Sequence, residues 1–212
     1  FVVTDHGITQ AGIAAGIFKA LDDAGFTATI YDNIPGNPNI PDVKKALQAV
    51  NGKSITHVVA IGGGSVLDTA KAIGLLLGDT ELDYEEVQWR RQTIKKSSLP
   101  VIGIPTTAGT GSEVTHVAVI GHSQGFKMGV LHPALFLKTA ILDGKLMRSL
   151  PAHLTAATGM DALVHAIEAF LSKKANSTAD IFALGAIRSI VRWLPVAFQN
   201  GENLEARNAM AI

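Results

Sequence analysis

The sequence has 212 residues, 47% of them hydrophobic, with 18 Lys and Arg against 18 Asp and Glu. That length holds one large domain or one and a half ordinary ones, with enough apolar material for a sizeable core. A formal net charge of zero argues against nucleic acid or an anionic membrane as the main partner, and the absence of cysteine excludes disulfides and thiolate metal sites.

No stretch has the pattern of a secretory signal, and no unbroken apolar run reaches the roughly 18 residues of a membrane span. With no cysteine, a reducing, cytoplasmic setting is expected, with no membrane partner. Both ends read as cut. Phe1-Val2-Val3-Thr4 resembles the interior of a strand and follows no initiator Met, and Ile212 falls inside a helical pattern without a Gly, Asn or Pro stop. The expectation is a fragment of a longer protein.

In chain order, FVVTD (1–5) is a short apolar run closed by an acid and predicts a buried strand. AGIAAGIFKALDDA (11–24) has helical spacing and ends at Gly25, a suitable C-cap. FTATIYD (26–32), rich in β-branched and aromatic residues, predicts a second strand. NIPGNPNIP (33–41) is a loop by its Pro, Gly and Asn content, DVKKALQAV (42–50) a helix, and ITHVVAIG (55–62) a third strand. Glycines and another helix, VLDTAKAIGLLL (66–77), follow directly. Residues 79–98 are polar and charged, a surface helix or loop. LPVIGIPT (99–106) predicts a strand, VTHVAVIG (114–121) and FKMGVLH (126–132) a hairpin joined by HSQG, and TAILD (139–143) a last strand. After Leu150-Pro151 the character changes, because 154–173, 176–193 and 202–212 are all helical in pattern and Ala-rich.

Strands alternating with helices of this length indicate βαβ units. The expected fold class is α/β, a Rossmann-like mostly parallel sheet with helices, followed by the beginning of an all-α domain. The boundary is placed near residue 150, giving units 1–150 and 151–212.

Three stretches carry chemistry. In AIGGGSVLDTAK (60–71) a strand runs into Gly62-Gly63-Gly64 and Ser65 opens a helix. Glycines let the backbone approach a phosphate, and the positive end of the helix dipole favours an anion there. The alternative is a tight turn in which Ser65 caps the helix and Asp68 completes a variant capping box, with Asp68 and Lys71 an i, i+3 surface pair. The pattern is not G-x-G-x-x-G and does not follow the first strand, so a standard Rossmann assignment fails in detail. PTTAGTGSE (105–113) offers hydroxyl and backbone donors after a strand, suited to phosphate or ribose contacts, or a polar turn bonded to itself. Two such loops in one sheet favour a dinucleotide site over either alternative.

The third stretch is GMDALVHAIEAF (159–170). Asp161 and His165, at i and i+4, lie side by side on one helix face, roughly 6 Å apart at Cβ. A carboxylate and an imidazole suit iron or zinc, although such a pair is also an ordinary helix acid beside a core histidine. About three protein ligands are needed for a catalytic metal, and His6, His57, His116, His122, His132 and His153 show no comparable paired spacing. Of these, His116 lies in a strand pattern and is expected to be buried.

Taken together, GGGSVLDTAK, PTTAGTGSEVT, AILDGKLMRSLP and HLTAATGMDALVHAIEAF resemble the iron-containing (group III) alcohol dehydrogenases, in order and spacing, over essentially the whole chain. The resemblance implies an N-terminal α/β dinucleotide-binding domain (1–150) joined to an all-helical metal-binding domain that is partial here (151–212). It implies NAD and Fe²⁺, with Zn²⁺ as the other candidate ion, and a primary alcohol, diol or aldehyde as substrate. Members of that family are often dimers, so a homodimer is open to the full-length parent and the oligomeric state is not fixed by the sequence.

Residue by residue, the resemblance implies that Asp5 contacts the adenosine ribose and favours NAD over NADP. Asp32 is its rival, at the end of the second strand. Asn37 matches a position near the adenine, and Gly63, Gly64 and Ser65 the pyrophosphate loop. Thr106 and Thr107 match the second cofactor loop, and Thr115, Val117, Lys127 and Leu146 the nicotinamide half. For Lys127 the alternative is a solvated edge-strand lysine. Asp161 and His165 match the first two metal ligands; two further histidines are expected beyond Ile212, so the isolated chain is expected to have weak or no activity. No residue is assigned as a catalytic acid, base or nucleophile. A nucleotide-binding module without catalysis and a relative of zinc glycerol dehydrogenase or dehydroquinate synthase are the competing readings.

Overall fold

The structure, a computed structural model, describes all residues, Phe1–Ile212. The chain forms two compact units: Phe1–Pro105 with Ser112–Ile141, and Thr106–Gly111 with Leu142–Ile212.

The first unit is built on a five-stranded sheet. Its strands are β1 (Val2–Thr4), β2 (Ile30–Tyr31), β3 (Val58–Gly62), β4 (Val101–Pro105) and β7 (Thr139–Ala140), in the order β2-β1-β3-β4-β7. Every neighbouring pair is parallel, as the βαβ alternation predicts. A separate antiparallel hairpin joins β5 (Val117–Gly121) to β6 (Lys127–Leu131), the hairpin expected from the sequence. Val58, Val59, Ala60 and Ile61 of the central β3 are all buried, which is why that segment reads as an unbroken apolar run rather than an alternating one.

The helices are α1 (His6–Gln10), α2 (Ala15–Asp23), α3 (Ile40–Gln48), α4 (Gly64–Gly78) and α5 (Tyr84–Gln88). The helix predicted to start at residue 11 starts at Ala15, because Gly12 takes a positive φ of 70° and breaks it from α1. α3 opens two residues earlier than predicted, on a reciprocal capping box between Asn39 and Asp42 with Pro41 in its first turn.

Three expectations are corrected. The strand predicted over 26–32 pairs only at Ile30 and Tyr31, because its sole neighbour β1 is three residues long and Phe26 is left in solvent. The strand predicted over 139–143 likewise pairs only at Thr139 and Ala140, on the opposite edge. The 79–98 segment is not simply surface. Its α5 buries Tyr84, Val87 and Gln88, and Gln88 Nε2 donates to the carbonyls of Ile120 and Met128 in the hairpin.

The second unit is helical: a 3-10 turn (Gly144–Met147), α6 (Ala152–Leu171), α7 (Ser177–Gln199) and α8 (Leu204–Ala211). α6 and α7 pack along each other, and the Leu194 side chain occupies the space a side chain at Gly159 would need. α7 passes its predicted end at 193 and continues through Pro195 to Gln199. By length and composition alone, α6 and α7 are each apolar enough to cross a membrane, although charges interrupt the apolar run in both helices. Val164, Phe170, Phe182 and Val191 lie exposed along them.

Candidate functional site

The glycine loop is built by β3 and α4. Gly63 is the extended N-cap of α4, at φ −80° and ψ −172°, and no side chain caps the helix. The Gly63 carbonyl accepts the N–H groups of Val66 and Leu67. Ser65 is therefore inside the first turn and does not cap it, and the predicted Ser65–Asp68 capping box is absent. A first turn without a side-chain cap leaves its N–H groups for an anion. A Cβ on Gly62 would fall 2.6 Å from Val66 Cγ2, so the strand must enter the helix through a residue without a side chain. Gly63, Gly64 and Ser65 are all partly exposed.

Asp68 and Lys71 are not the surface pair that their spacing suggests. Lys71 is 1% exposed. Its Nζ donates to Val117 O at 2.8 Å and Thr115 Oγ1 at 3.2 Å and lies 3.6 Å from Asp68 Oδ1. Asp68 in turn accepts the Ser112 hydroxyl and, at 2.9 Å, the Val119 N–H. Burial lowers the Lys71 pKa from its ordinary value, opposed by Asp68. Burial also raises that of Glu113. Two residues implied for the nicotinamide half, Thr115 and Val117, are thus held by a lysine not assigned a role from the sequence. The signal was present: VLDTAKAIGLLL places Ala, Leu and Ile all round α4, leaving Lys71 no solvent face.

Asn37 and Lys127, ninety positions apart, meet directly: Lys127 Nζ donates to Asn37 Oδ1 at 2.8 Å. They were expected toward opposite halves of the cofactor, and the structure sets them at one place. Lys127 is exposed but not simply solvated. Asp5 and Asp32 end the neighbouring strands β1 and β2. Asp5 caps α1, accepting the Ile8 N–H at 3.0 Å. Asp32 accepts the Thr9 hydroxyl at 3.1 Å and lies 3.6 Å from His6 Nδ1. The rival acids therefore follow the C-terminal ends of two adjacent parallel strands.

In the second unit, Thr106 is buried and Thr107 half-buried. The loop passes so close to α6 that a side chain at Gly109 would strike the Thr158 backbone. Leu146 is half-buried in the 3-10 turn.

Asp161 and His165 face each other on α6, Oδ1 to Nε2 3.7 Å, with side chains 46% and 52% exposed. Exposed donors this close fit two positions on one small divalent ion, with bonds of about 2.0–2.2 Å. No group of three or more His, Cys, Asp or Glu residues in the chain is arranged to hold a metal. His153 is exposed on the same helix. The expectation that His116 is buried is corrected: it is half-buried, with its ring tilted against Phe136. The buried histidine is His122, stacked on Phe126 at 4.5 Å, accepting the Gln124 N–H at Nδ1 and placing Nε2 3.1 Å from Glu85 Oε1.

Residues 1–144 match the family model described as iron-containing alcohol dehydrogenase, and residues 155–212 that described as Fe-containing alcohol dehydrogenase family, C-terminal. The chain is 41% identical to the probable alcohol dehydrogenase EutG of Escherichia coli (strain K12), over 100% of this chain and 53% of that protein. It is also 41% identical to the NAD-dependent methanol dehydrogenase of Bacillus methanolicus, over 99% of this chain and 55% of that one. Among solved structures, a 1,3-propanediol oxidoreductase superposes with a TM-score of 0.92 at 36% identity, over 99% of this chain and 55% of that one. A sulfoacetaldehyde reductase from Bifidobacterium kashiwanohense in complex with NAD+ gives 0.91 at 33%, with the same coverage. The chain spans about half the length of the curated relatives it matches. The matches in both units and the fold agree: the chain belongs to the iron-containing alcohol dehydrogenase family.

Proposed function

We propose that this chain carries the NAD-binding half and the first two metal ligands of an alcohol dehydrogenase. The reaction is reversible hydride transfer between a primary alcohol or diol and nicotinamide. Residues 1–150 form the dinucleotide-binding domain, and 151–212 part of the metal-binding helical domain. The observation that carries the reading is the entry to α4, a glycine strand-to-helix turn with no side-chain cap in a family member. The names of relatives described as NAD-dependent or solved with NAD+ support the choice of cofactor.

In this reading, the first-turn N–H groups at Gly64 and Ser65 receive the pyrophosphate, with Gly63 keeping the approach open. Asp5 and its neighbour Asp32 take the adenosine ribose hydroxyls. Such a carboxylate repels a 2′-phosphate, which favours NAD over NADP. The hydroxyls of Thr106 and Thr107 line the second cofactor loop. Thr115, Val117 and Leu146 line the nicotinamide half, and Lys127 reaches the cofactor from its bond to Asn37. The nicotinamide supplies the hydride chemistry. Asp161 and His165 would hold a divalent iron or zinc ion, which would supply Lewis-acid polarisation of the alcohol oxygen.

A second reading, an NAD-binding module without catalysis, is favoured by one fact: only two metal-ligating side chains come together. One experiment tests the cofactor and metal assignments. The purified chain is exposed to Fe²⁺ or Zn²⁺, exhaustively desalted and analysed for metal, alongside NADH titration. NADH binding with well under one tightly held ion per chain is the expected outcome, because about three protein ligands are usual for a retained catalytic ion. One ion per chain, lost in Asp161→Ala or His165→Ala, would mean the site completes itself within these residues, and dehydrogenase turnover should accompany it. Failure to bind NADH would overturn the cofactor assignment.

A further inference from the structure

The glycine loop and the segment implied for the nicotinamide half are joined through two side chains of a single helix. α4 begins at Gly64; Asp68 stands one turn further on and Lys71 nearly another. Between them they bind four groups of the Ser112–Val119 segment, the Ser112 hydroxyl, the Val119 N–H, the Thr115 hydroxyl and the Val117 carbonyl, and they also pair with each other. Lys71 is fully enclosed and Asp68 nearly so, their side chains 0% and 14% exposed.

A buried ion pair is a poor device for stability alone, since well-packed apolar residues of similar volume commonly serve as well or better. The other buried side chains of α4 are Val, Leu, Ala and Ile, with Thr69 the one further polar group, and a methionine has a similar volume to Lys71. An apolar residue cannot hold a main-chain carbonyl and a threonine hydroxyl at fixed distances from the helix. The geometry points to that as the use of the pair. We propose that Lys71 and Asp68 are positioning residues that set Thr115 and Val117 at a fixed distance from the pyrophosphate turn, so that the nicotinamide end of the dinucleotide finds its wall in place. This rests on the dinucleotide reading above and extends it to residues that do not touch the cofactor.

The test compares two ligands that share the adenosine diphosphate-ribose portion. NADH and ADP-ribose are titrated against the 212-residue chain and its Lys71→Met variant, with thermal unfolding followed in parallel. The variant is expected to bind ADP-ribose within about threefold of the parent while its NADH affinity falls roughly tenfold, about 1.4 kcal/mol. Equal weakening of both ligands, or of neither, overturns the proposal and leaves the dinucleotide reading standing. Failure of the unsubstituted chain to bind either ligand overturns both. Should Lys71→Met not fold, Ser112→Ala removes one hydroxyl from the same clamp and is read by the same difference.

Discussion

Asp79 shows what one carboxylate gains from its surroundings. It is the C-cap of α4, and Lys96 Nζ donates to its Oδ1 at 2.9 Å, with the Glu81 N–H at 3.4 Å. The Lys96 hydrogen bond holds its pKa below the ordinary 3.8, against the opposing effect of burial and with the help of the Glu81 N–H. A pKa lower in the folded state than in the unfolded one stabilises at pH above the ordinary value. That stabilisation is lost as pH falls through the folded value. Asp79→Asn is therefore expected to be less stable than the parent at pH 7, with the gap closing below about pH 4; denaturant melts across that range check it. A gap that stays constant with pH would refute it. Some of these residue-level facts were legible in the sequence and some were not. The i, i+4 spacing of Asp161 and His165 brings them together from local geometry alone. Which histidine is buried is not a local property: His122 stacks on Phe126 across its own hairpin turn, but the Trp89 ring that also packs against it comes from a segment that the neighbouring sequence does not tie to it.

At the scale of elements, central strands read more clearly than edges. β3 and β4 are paired on both sides, and their apolar runs are the imprint of that burial. β2 and β7 have one neighbour each, so their length is set by where the partner ends rather than by their own β-propensity. α8 depends on one buried side chain. Arg207 donates from its guanidinium to Gly201 O at 2.9 Å, Thr155 Oγ1 at 2.8 Å and Leu150 O at 3.1 Å. It thereby ties α8 to the start of α6. Arg207→Met keeps the bulk and removes all three bonds, taking the donor from the Gly201 carbonyl and leaving the Thr155 hydroxyl and the Leu150 carbonyl only their long contact with each other, 3.4 Å. The expected loss is about 2–4 kcal/mol, since each buried group left unpaired costs about 1–3 kcal/mol and part is recovered by relaxation. The urea midpoint measures it, and a change below about 1 kcal/mol would show that the tie is dispensable.

For the molecule as a whole, the glycine turn belongs to the first unit and the Asp161–His165 pair to the second. With the two sites in separate units, dinucleotide binding is expected to be independent of metal. Treating the chain with a chelator is expected to leave its NADH dissociation constant within about twofold, by the logic of independent sites; a larger change would mean that the two sites are coupled. The sequence by itself determined the parallel α/β order, the hairpin, the helical second half, the glycine turn and the family. These rest on local periodicity, on turn chemistry and on motifs whose residues are adjacent in the chain. Only the tertiary structure decided that Lys71 is enclosed and holds Thr115 and Val117, that Asp68 receives Ser112 and Val119 instead of capping its own helix, and that Lys127 meets Asn37. Their partners lie 44 to 90 positions away. Such distances are closed by strand crossovers and the hairpin, and a polar side chain's partners over that span depend on where those elements pack rather than on the residues beside it in the chain.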